Sequence, residues 1–287
     1  MVGGRHYENF PVASMLLPAE MRPHIAAVYA FARTADDFAD EGDLPPERRL
    51  ELLDGWHQRL LDTQRTPVVS TIPRPGEPDD TERLFAQLRS TMHEKRLPVE
   101  LFEALLSAFR QDVTVHRYES WAQLLDYCTR SANPVGRLVL RIAGYRDDHL
   151  DRLSDAICTG LQLTNFWQDI RIDFERGRIY VPGEAMRAQA ADPRQLASSR
   201  LTPPWRAVLA DLVSRTRSLF DEGRPLCDAV SGRLRFELRA TWLGGVRILQ
   251  QIATGGFDVL SRRPTIGFAD TPWLLGRMAA WSLGSYP

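Results

Sequence analysis

The chain has 287 residues, of which 44% are hydrophobic and 25% charged, and its formal net charge is −1. These values are ordinary for a globular protein with a sizeable core, and the near-neutral charge gives no general electrostatic basis for nucleic-acid binding. No apolar run reaches the ~18 residues of a membrane-spanning helix, and the N-terminal MVGGRHYENF lacks the apolar segment of a signal peptide. We therefore expect a cytoplasmic protein, in which Cys128, Cys158 and Cys227 are reduced core residues.

Apolar residues recur at helical spacing along nearly the whole chain, and strand-like alternation is scarce. The first predicted helix covers residues 22–41, with Pro23 in its first turn and Gly42 after its end. A second helix begins at Pro45-Pro46 and ends near Thr63, and the four prolines of residues 64–80 predict a loop. Three further helices are predicted near residues 80–95, 98–116 and 120–144.

The helix predicted over residues 120–144 contains Asn133-Pro134, which should kink or break it. A long segment from Asp148 to Glu175 follows, and residues 176–203 are rich in loop-forming residues. Helices resume near residues 204–223, 231–254 and 271–283. Because no linker divides the chain, we predict one all-α domain over residues 1–287, with a core over about 5–265 and a helical tail over 266–287.

Two acidic pairs, Asp36/Asp40 and Asp169/Asp173, stand 133 residues apart in segments that are predicted to be helical. The spacing of four residues puts both carboxylates of a pair on one helix face, one turn apart. Such carboxylates repel each other unless positive charge lies between them, and Mg²⁺ usually binds one or two carboxylates together with substrate phosphates. Two facing helices of this kind predict a cavity in which a diphosphate is held through metal ions.

The second acidic pair belongs to a longer polar stripe of Gln162, Asn165, Asp169 and Asp173, at spacings of 3, 4 and 4. A stripe of acids and amides on an otherwise apolar helix is costly to bury without partners. The alternative interpretation is a solvated helix face whose acids pair with nearby arginines, because charged runs are usually exposed. The presence of two such helices favours the metal-binding interpretation.

Four segments carry a resemblance to a known family: HYENFPVAS at 6–14, YAFARTADDFADEG at 29–42, YCTRSANPVG at 127–136 and NFWQDIRIDFERGRIYVP at 165–182. Together they resemble the squalene/phytoene synthase family, in the family's order and over roughly residues 5–265. In detail they are most similar to the hydroxysqualene synthase branch used in bacterial hopanoid synthesis. The resemblance implies an all-α prenyl-synthase bundle around a deep apolar cavity.

The resemblance also implies roles for individual residues. Tyr7 and Asn9 stand where related enzymes often carry two serines, which indicates altered diphosphate contacts. The implied ligands of two or three Mg²⁺ ions are Asp36, Asp40, Asn165, Asp169 and Asp173. The implied substrate-binding residues are Tyr7, Asn9, Arg33, Asp37, Gln162, Arg171 and Arg178, and the implied catalytic residues are Tyr127, Asn133 and Asn165.

The activity implied by the resemblance is Mg²⁺-dependent conversion of presqualene diphosphate and water to hydroxysqualene and diphosphate, without NADPH. Asn133, Arg130 and Tyr127 are the candidates for positioning the water. One alternative is head-to-head condensation of two farnesyl diphosphates to presqualene diphosphate or squalene. Another is a helical binding module that has lost its chemistry, although both acidic pairs are intact.

The implied partners are a prenyl diphosphate substrate and, through the pathway, a presqualene diphosphate synthase and a hydroxysqualene reductase. Nucleic acid is not expected. The amphipathic segment Pro272–Leu283 and the pair Arg262-Arg263 raise the further possibility of peripheral contact at the inner membrane face, against the simpler interpretation of core packing and a solvated surface.

Overall fold

The computed structural model describes residues 16–40, 42–65 and 79–281, and α-helices dominate this part of the chain. The predicted loop at 64–80 and the end of the predicted tail, like Tyr7 and Asn9, fall largely or wholly outside it. The helices are α1 (Arg22–Asp40), α2 (Pro46–Arg65), α3 (Asp79–Lys95), α4 (Val99–Thr114), α5 (Trp121–Ser131), α6 (Asn133–Ile142), α7 (Asp148–Gln168), α8 (Ile170–Glu175), α9 (Gly183–Ala188), α10 (Pro203–Gly223), α11 (Leu226–Ala229), α12 (Gly232–Thr254) and α13 (Thr271–Ala279). Short 3₁₀ turns cover Pro193–Ala197 and Phe268–Asp270.

Local sequence signals explain where several helices begin. Ser120 accepts a hydrogen bond from the backbone N–H of Gln123 and caps α5, and Asp147 caps α7 in the same way through the N–H groups of His149 and Leu150. The break predicted at Asn133-Pro134 lies between α5 and α6, where Pro134 occupies the first turn of the new helix.

Helix α7 is the centre of the bundle and packs most extensively against α10 and α6. The indole N–H of Trp167 donates to the Thr216 hydroxyl at 2.8 Å, which ties α7 to α10 inside the core. The Phe220 ring of α10 lies so close to Gly245 of α12 that an added Cβ would meet its Cζ atom at 2.4 Å. A glycine at this position therefore permits α7, α10 and α12 to meet at close range.

Aromatic side chains pack α1 against α2, α3 and α4. The Phe31 ring of α1 contacts Phe102 edge-on at a centroid distance of 5.4 Å, and Trp56 contacts Phe85 at 4.6 Å. The Trp56 indole N–H also donates to the Phe31 carbonyl oxygen at 3.3 Å. These contacts pack one face of α1 against α2, α3 and α4. The face that carries Asp36 points to a cavity inside the bundle.

All three cysteines are buried free thiols, and burial raises the pKa of Cys128 and Cys158 to about 12. No helix within the described ranges is both long and apolar enough to cross a membrane.

A buried ion pair joins α6 to α7. Asp151 is buried and accepts two N–H groups from Arg141, one of them at 2.8 Å, and the Arg141 side chain is only 14% exposed. Replacing Asp151 with alanine should lower the free energy of unfolding by about 3–5 kcal/mol, because the Arg141 charge would stay buried without a partner. Urea unfolding measures this loss.

The matched control is Asp211→Ala, which removes the exposed pair between Asp211 and Arg215 on α10. It should change the free energy of unfolding by less than about 0.5 kcal/mol, since exposed i,i+4 pairs contribute little. Similar losses in the two variants would show that the pair between α6 and α7 has no special energetic role.

Candidate active site

A cavity of about 750 Å³ opens between α1, α4, α5, α6, α7, α8 and α12, within the size range of small-molecule sites. Most of its wall is apolar, and the polar side chains gather where α1 ends and α7 passes into α8. The apolar wall includes Leu17, Ile25, Val28, Leu105, Val135, Leu138, Val139, Ile142, Leu161, Leu234 and Leu238.

The structure brings both predicted acidic pairs to this cavity. Asp36 and Asp40 lie in the last turns of α1, Asp173 lies on α8, and all line the cavity together with Asp169. The second segment is not one continuous helix as the periodicity predicted, because Asp169 stands at a break between α7 and α8 with φ −105° and ψ 14°. The two pairs are close enough for the Asp40 charge to raise the pKa of Asp173.

Arginines lie among these acids. The Arg178 guanidinium donates to both carboxylate oxygens of Asp40, at 2.9 and 2.6 Å. Arg263 likewise donates to both oxygens of Asp169, which also accepts from Asn165 Nδ2 at 2.8 Å. Each acidic pair therefore has one member held by a fork-shaped cation, a geometry that also suits phosphate oxygens.

Gly177 brings Arg178 into position. It has a φ of +78°, in the left-handed region that glycine tolerates, and it follows the end of α8. The turn returns the Arg178 N–H to the Asp173 carbonyl oxygen at 2.8 Å. The next residue, Ile179, donates its backbone N–H to the His116 carbonyl at 3.0 Å, which anchors the segment beside α4.

The other members of the two acidic pairs, Asp36 and Asp173, hold negative charge that the protein disfavours. Burial in the cavity raises the pKa of each to about 7, and the neighbouring charges of Asp40 and Asp169, respectively, add to the effect. Arg33 lowers the pKa of Asp36 only in part, from an N–O distance of 3.2 Å. The cavity mouth thus contains more carboxylate than its arginines neutralise.

These side chains fit a divalent cation that retains much of its own hydration. Within the described ranges, no three acidic, histidine or cysteine side chains converge closely enough to enclose a metal ion by themselves. Mg²⁺ does not require such a site, because it commonly binds through one or two carboxylates, several waters and substrate phosphates. Asp36 and Asp173, whose pKa is raised by burial and by the neighbouring acids, are the residues that a cation would relieve most.

A tyrosine and an aspartate form a buried pair on the cavity wall beside the acids. The Tyr127 hydroxyl donates to Asp112 Oδ2 at 2.9 Å, and Asp112 Oδ1 is buried with no hydrogen-bond partner among the described residues. Burial raises the pKa of Asp112 to about 7, although the Tyr127 hydrogen bond opposes this shift. The rings of Phe166 and Tyr180 stack 3.7 Å apart, and Phe166 lies 6.2 Å from the Tyr127 ring.

Sequence reasoning missed Asp112 and the role of Arg263. Asp112 is one of three acids on α4, with Glu100 and Glu103, and no short-range pattern distinguishes it from the other two. Arg263 was interpreted as a solvated surface residue, whereas the structure places it on Asp169, 94 positions away in the chain. An ion pair between residues so far apart produces no periodic pattern in the sequence.

Three predicted site residues lie elsewhere. Asn133 is buried, accepts a hydrogen bond from the Thr159 hydroxyl at 2.9 Å and is not among the residues that line the cavity, where a residue that positions the attacking water is expected. Arg171 also faces away, because it donates to the Leu260 carbonyl oxygen at 3.0 Å. Asp37 is outside the cavity wall and pairs with Arg33 at 2.7 Å.

Other predicted residues lie on the cavity wall, namely Arg33, Tyr127, Gln162, Asn165 and Arg178. Arg130, the remaining candidate for positioning water, donates to Ser107, Gln111 and Asp126 and does not line the cavity. Of the candidates for that role, only Tyr127 faces the cavity.

Comparison with known proteins agrees with this architecture. The sequence profile of the squalene/phytoene synthase family matches residues 4–270. The chain belongs to the squalene/phytoene synthase family. It is 36% identical over 258 residues to the hydroxysqualene synthase of Rhodopseudomonas palustris. The matched region covers 89% of this chain and 82% of that relative.

Solved structures of the family share the same fold. The squalene synthase HpnC from Alicyclobacillus acidocaldarius superimposes with a TM-score of 0.77 at 40% identity, over 88% of this chain and 90% of that one. A dehydrosqualene synthase in complex with a ligand gives a TM-score of 0.79 at 20% identity, over 93% and 89% of the two chains. The protein is therefore an enzyme of the squalene/phytoene synthase family with the isoprenoid-synthase helical fold.

Proposed function

We propose that the protein converts presqualene diphosphate and water to hydroxysqualene and diphosphate, with Mg²⁺ as cofactor and without NADPH. The observation that carries this proposal is one cavity in which two acidic pairs and their arginines adjoin a long apolar chamber. A diphosphate fits the charged end and a prenyl chain the apolar part. The similarity to a protein named hydroxysqualene synthase supports this choice among the reactions of the family.

The charged residues hold and orient the diphosphate. Mg²⁺ bound by Asp36, Asp40, Asp169 and Asp173 would neutralise charge on the departing diphosphate. Arg178 and Arg263 lie beside these acids and offer N–H forks to the phosphate oxygens. Together these groups favour heterolysis of the bond between carbon and the diphosphate oxygen, because they stabilise the charge that develops on the leaving group.

The rest of the wall restrains the carbocation that heterolysis leaves. Tyr127, Phe166 and Tyr180 present aromatic faces near the charged end, and an aromatic face stabilises a nearby cation by about 0.5–2 kcal/mol. Leucine, valine and isoleucine side chains of α1, α6, α7 and α12 exclude bulk water from the remaining chamber. Capture by a single bound water then gives the alcohol.

A second candidate is condensation of two farnesyl diphosphates to presqualene diphosphate or squalene, because a structure that is 40% identical carries the name squalene synthase. Incubation of the purified protein with presqualene diphosphate, and separately with farnesyl diphosphate, distinguishes the two candidates. We expect hydroxysqualene from presqualene diphosphate only, and only with Mg²⁺. A C30 product from farnesyl diphosphate would instead support the second candidate.

We expect Mg²⁺ and inorganic diphosphate together to raise the melting temperature by several degrees, because a ligand at about 100 times its Kd stabilises the folded state by about 2.7 kcal/mol. Each component alone should have a smaller effect, since diphosphate alone adds negative charge beside the acids and Mg²⁺ alone lacks the phosphate oxygens that complete its coordination. Differential scanning calorimetry with Mg²⁺, diphosphate, both, or both plus EDTA measures these shifts. An equal shift with diphosphate and EDTA would contradict a role for the metal.

Peripheral membrane contact and coupling to a synthase and a reductase stay predictions. Phe268 is 99% exposed and Leu275 of α13 is 62% exposed, so some apolar surface faces outward near the predicted contact region. These two side chains alone do not define a membrane-binding surface.

A further inference from the structure

Asp112 stands out among the acids of the cavity. It lies on α4, outside both acidic pairs, and its position is held by the Tyr127 hydroxyl at one oxygen and by its helix. The other oxygen, Oδ1, is buried and has no partner among the described residues. A buried carboxylate oxygen without a hydrogen bond is costly, which favours a function for it over a role in stability.

The surroundings place Asp112 at the charged end of the cavity. Its backbone carbonyl oxygen lies 3.4 Å from Nη2 of Arg178, the same guanidinium that holds Asp40. Its carboxylate contacts Tyr127, whose ring adjoins Phe166. Asp112 therefore lies between the groups that would hold diphosphate and the aromatic faces that would meet the carbocation.

The other buried acid of the wall, Glu237, lies toward the opposite end. It follows Arg233 by one turn of α12, and Arg233 donates to the Leu16 carbonyl oxygen, before the start of α1. Asp36 and Asp40 lie at the far end of α1, whose 19 residues span roughly 28 Å at ~1.5 Å per residue. Since the reacting carbons lie next to the diphosphate, Asp112 is the better placed of the two acids.

We infer that Asp112 is a catalytic residue whose carboxylate binds the attacking water and accepts its proton. The inference rests on the proposed function. In the step, the bond from carbon to the diphosphate oxygen has broken with its electron pair on diphosphate. A water lone pair forms the new carbon–oxygen bond, and one water proton moves to the Asp112 carboxylate. Asp112 then passes the proton to diphosphate, which leaves as hydrogen diphosphate. This transfer regenerates the Asp112 carboxylate.

The Tyr127 hydrogen bond gives this carboxylate a defined orientation, with Oδ2 occupied and Oδ1 without a partner among the described residues, on a side chain that lines the cavity. The pKa of about 7 supports the role, because a group whose pKa lies near the working pH transfers protons efficiently in both directions.

The test is Asp112→Asn with presqualene diphosphate and Mg²⁺, with diphosphate release and the C30 products measured separately. Asparagine keeps the shape and an acceptor for Tyr127 but accepts no proton. We expect the alcohol share of the products to fall at least tenfold, with diphosphate release within about threefold of wild type, because only the capture step loses its base. The remaining C30 products should be hydrocarbons, which form when the same cation loses a proton to diphosphate.

Tyr127→Phe provides a second variant that frees Oδ2, and it decides the question if Asp112→Asn does not fold. A lower alcohol share supports the inference, and an unchanged share overturns it. Tyr118→Phe is the matched control: its ring lies 5.6 Å from the Tyr127 ring, but its hydroxyl accepts from Gln111 and does not line the cavity. This variant should keep the wild-type product ratio.

An unchanged alcohol share in Asp112→Asn overturns the inference. Loss of diphosphate release from a folded Asp112→Asn protein overturns it as well, because Asp112 would then act in binding or heterolysis. Failure of the proposed function is recognised separately, since in that case the wild-type protein itself gives no alcohol from presqualene diphosphate.

Discussion

Replacing Asp173 with asparagine should lower kcat/KM by roughly 10²–10³-fold and at the same time raise the melting temperature of the metal-free protein at pH 8. The rate falls because the charged end of the cavity loses a metal ligand. The stability rises because the carboxylate, ionised at this pH, is buried beside Asp169 with its pKa raised to about 7. Asp36→Asn should behave in the same way, because burial raises the pKa of this half-buried carboxyl to about 7 as well.

The pH dependence of stability follows from the direction of these shifts. The folded protein binds a proton at Asp173 up to a pKa of about 7, whereas the unfolded chain releases it near 3.8. The stabilisation from this site is therefore fully present below pH ~4 and is lost as the pH rises through about 7, above which the metal-free protein should reach its lower plateau. Asp173→Asn removes this part of the slope, which melting curves between pH 4 and 8 in EDTA would show.

Asp211→Asn on α10 is the matched control, since this carboxylate forms an exposed pair with Arg215 outside the cavity. It should leave the rate and the slope of stability with pH unchanged. An Asp173→Asn protein with the wild-type rate would contradict the role of this acid in the site. A variant less stable than wild type at pH 8 in EDTA would contradict the electrostatic argument.

Replacing Val139 with tryptophan should lower kcat/KM for presqualene diphosphate by at least about 100-fold, because the indole would occupy part of the apolar chamber that the C30 chain needs. Val139 lies on α6 and lines the cavity, away from the acidic end. Binding of Mg²⁺ with inorganic diphosphate should persist, since no charged residue changes. Steady-state kinetics and the melting shift with Mg²⁺ and diphosphate measure the two effects.

The control for bulk is Val99→Trp, at the start of α4, where the side chain is half-buried and outside the cavity wall. The kcat/KM of this variant should be close to that of the wild-type protein. If Val139→Trp turned over the C30 substrate at the wild-type rate, the apolar chamber would not be the site of the prenyl chain. If it also lost the melting shift with Mg²⁺ and diphosphate, the substitution would have disturbed the charged end.

The local pattern of the chain was enough to predict the helices and the two acidic pairs. The spacing of Asp36 and Asp40 places both on one face of a helix whatever surrounds it, and Asn133-Pro134 interrupts a helix for reasons internal to the backbone. The family motifs carry the same information, because they consist of contiguous residues. Such features depend on short-range geometry and can therefore be recognised from a single sequence.

The same short-range reasoning does not determine which way a side chain points when two neighbouring helices are both within its reach. Asn133 lies beside the Tyr127 motif in sequence, yet its amide faces Thr159 of α7 and is buried away from the cavity. Arg171 follows Asp169 by two positions, which turns it by about 200° on a helix, and it contacts the Leu260 carbonyl on the far side. The break at Asp169 adds to this divergence.

The sequence by itself determined the helical class, the family and the carboxylates of the site, since all three depend on residues close together in the chain. Only the tertiary structure decided which cations oppose those carboxylates and which further acid joins them on the cavity wall. Arg263 reaches Asp169 across 94 positions, and Asp112 meets Tyr127 because α4 packs against α5. These contacts are set by how whole helices pack, and helix packing depends on the shape of the entire core, which no local pattern encodes.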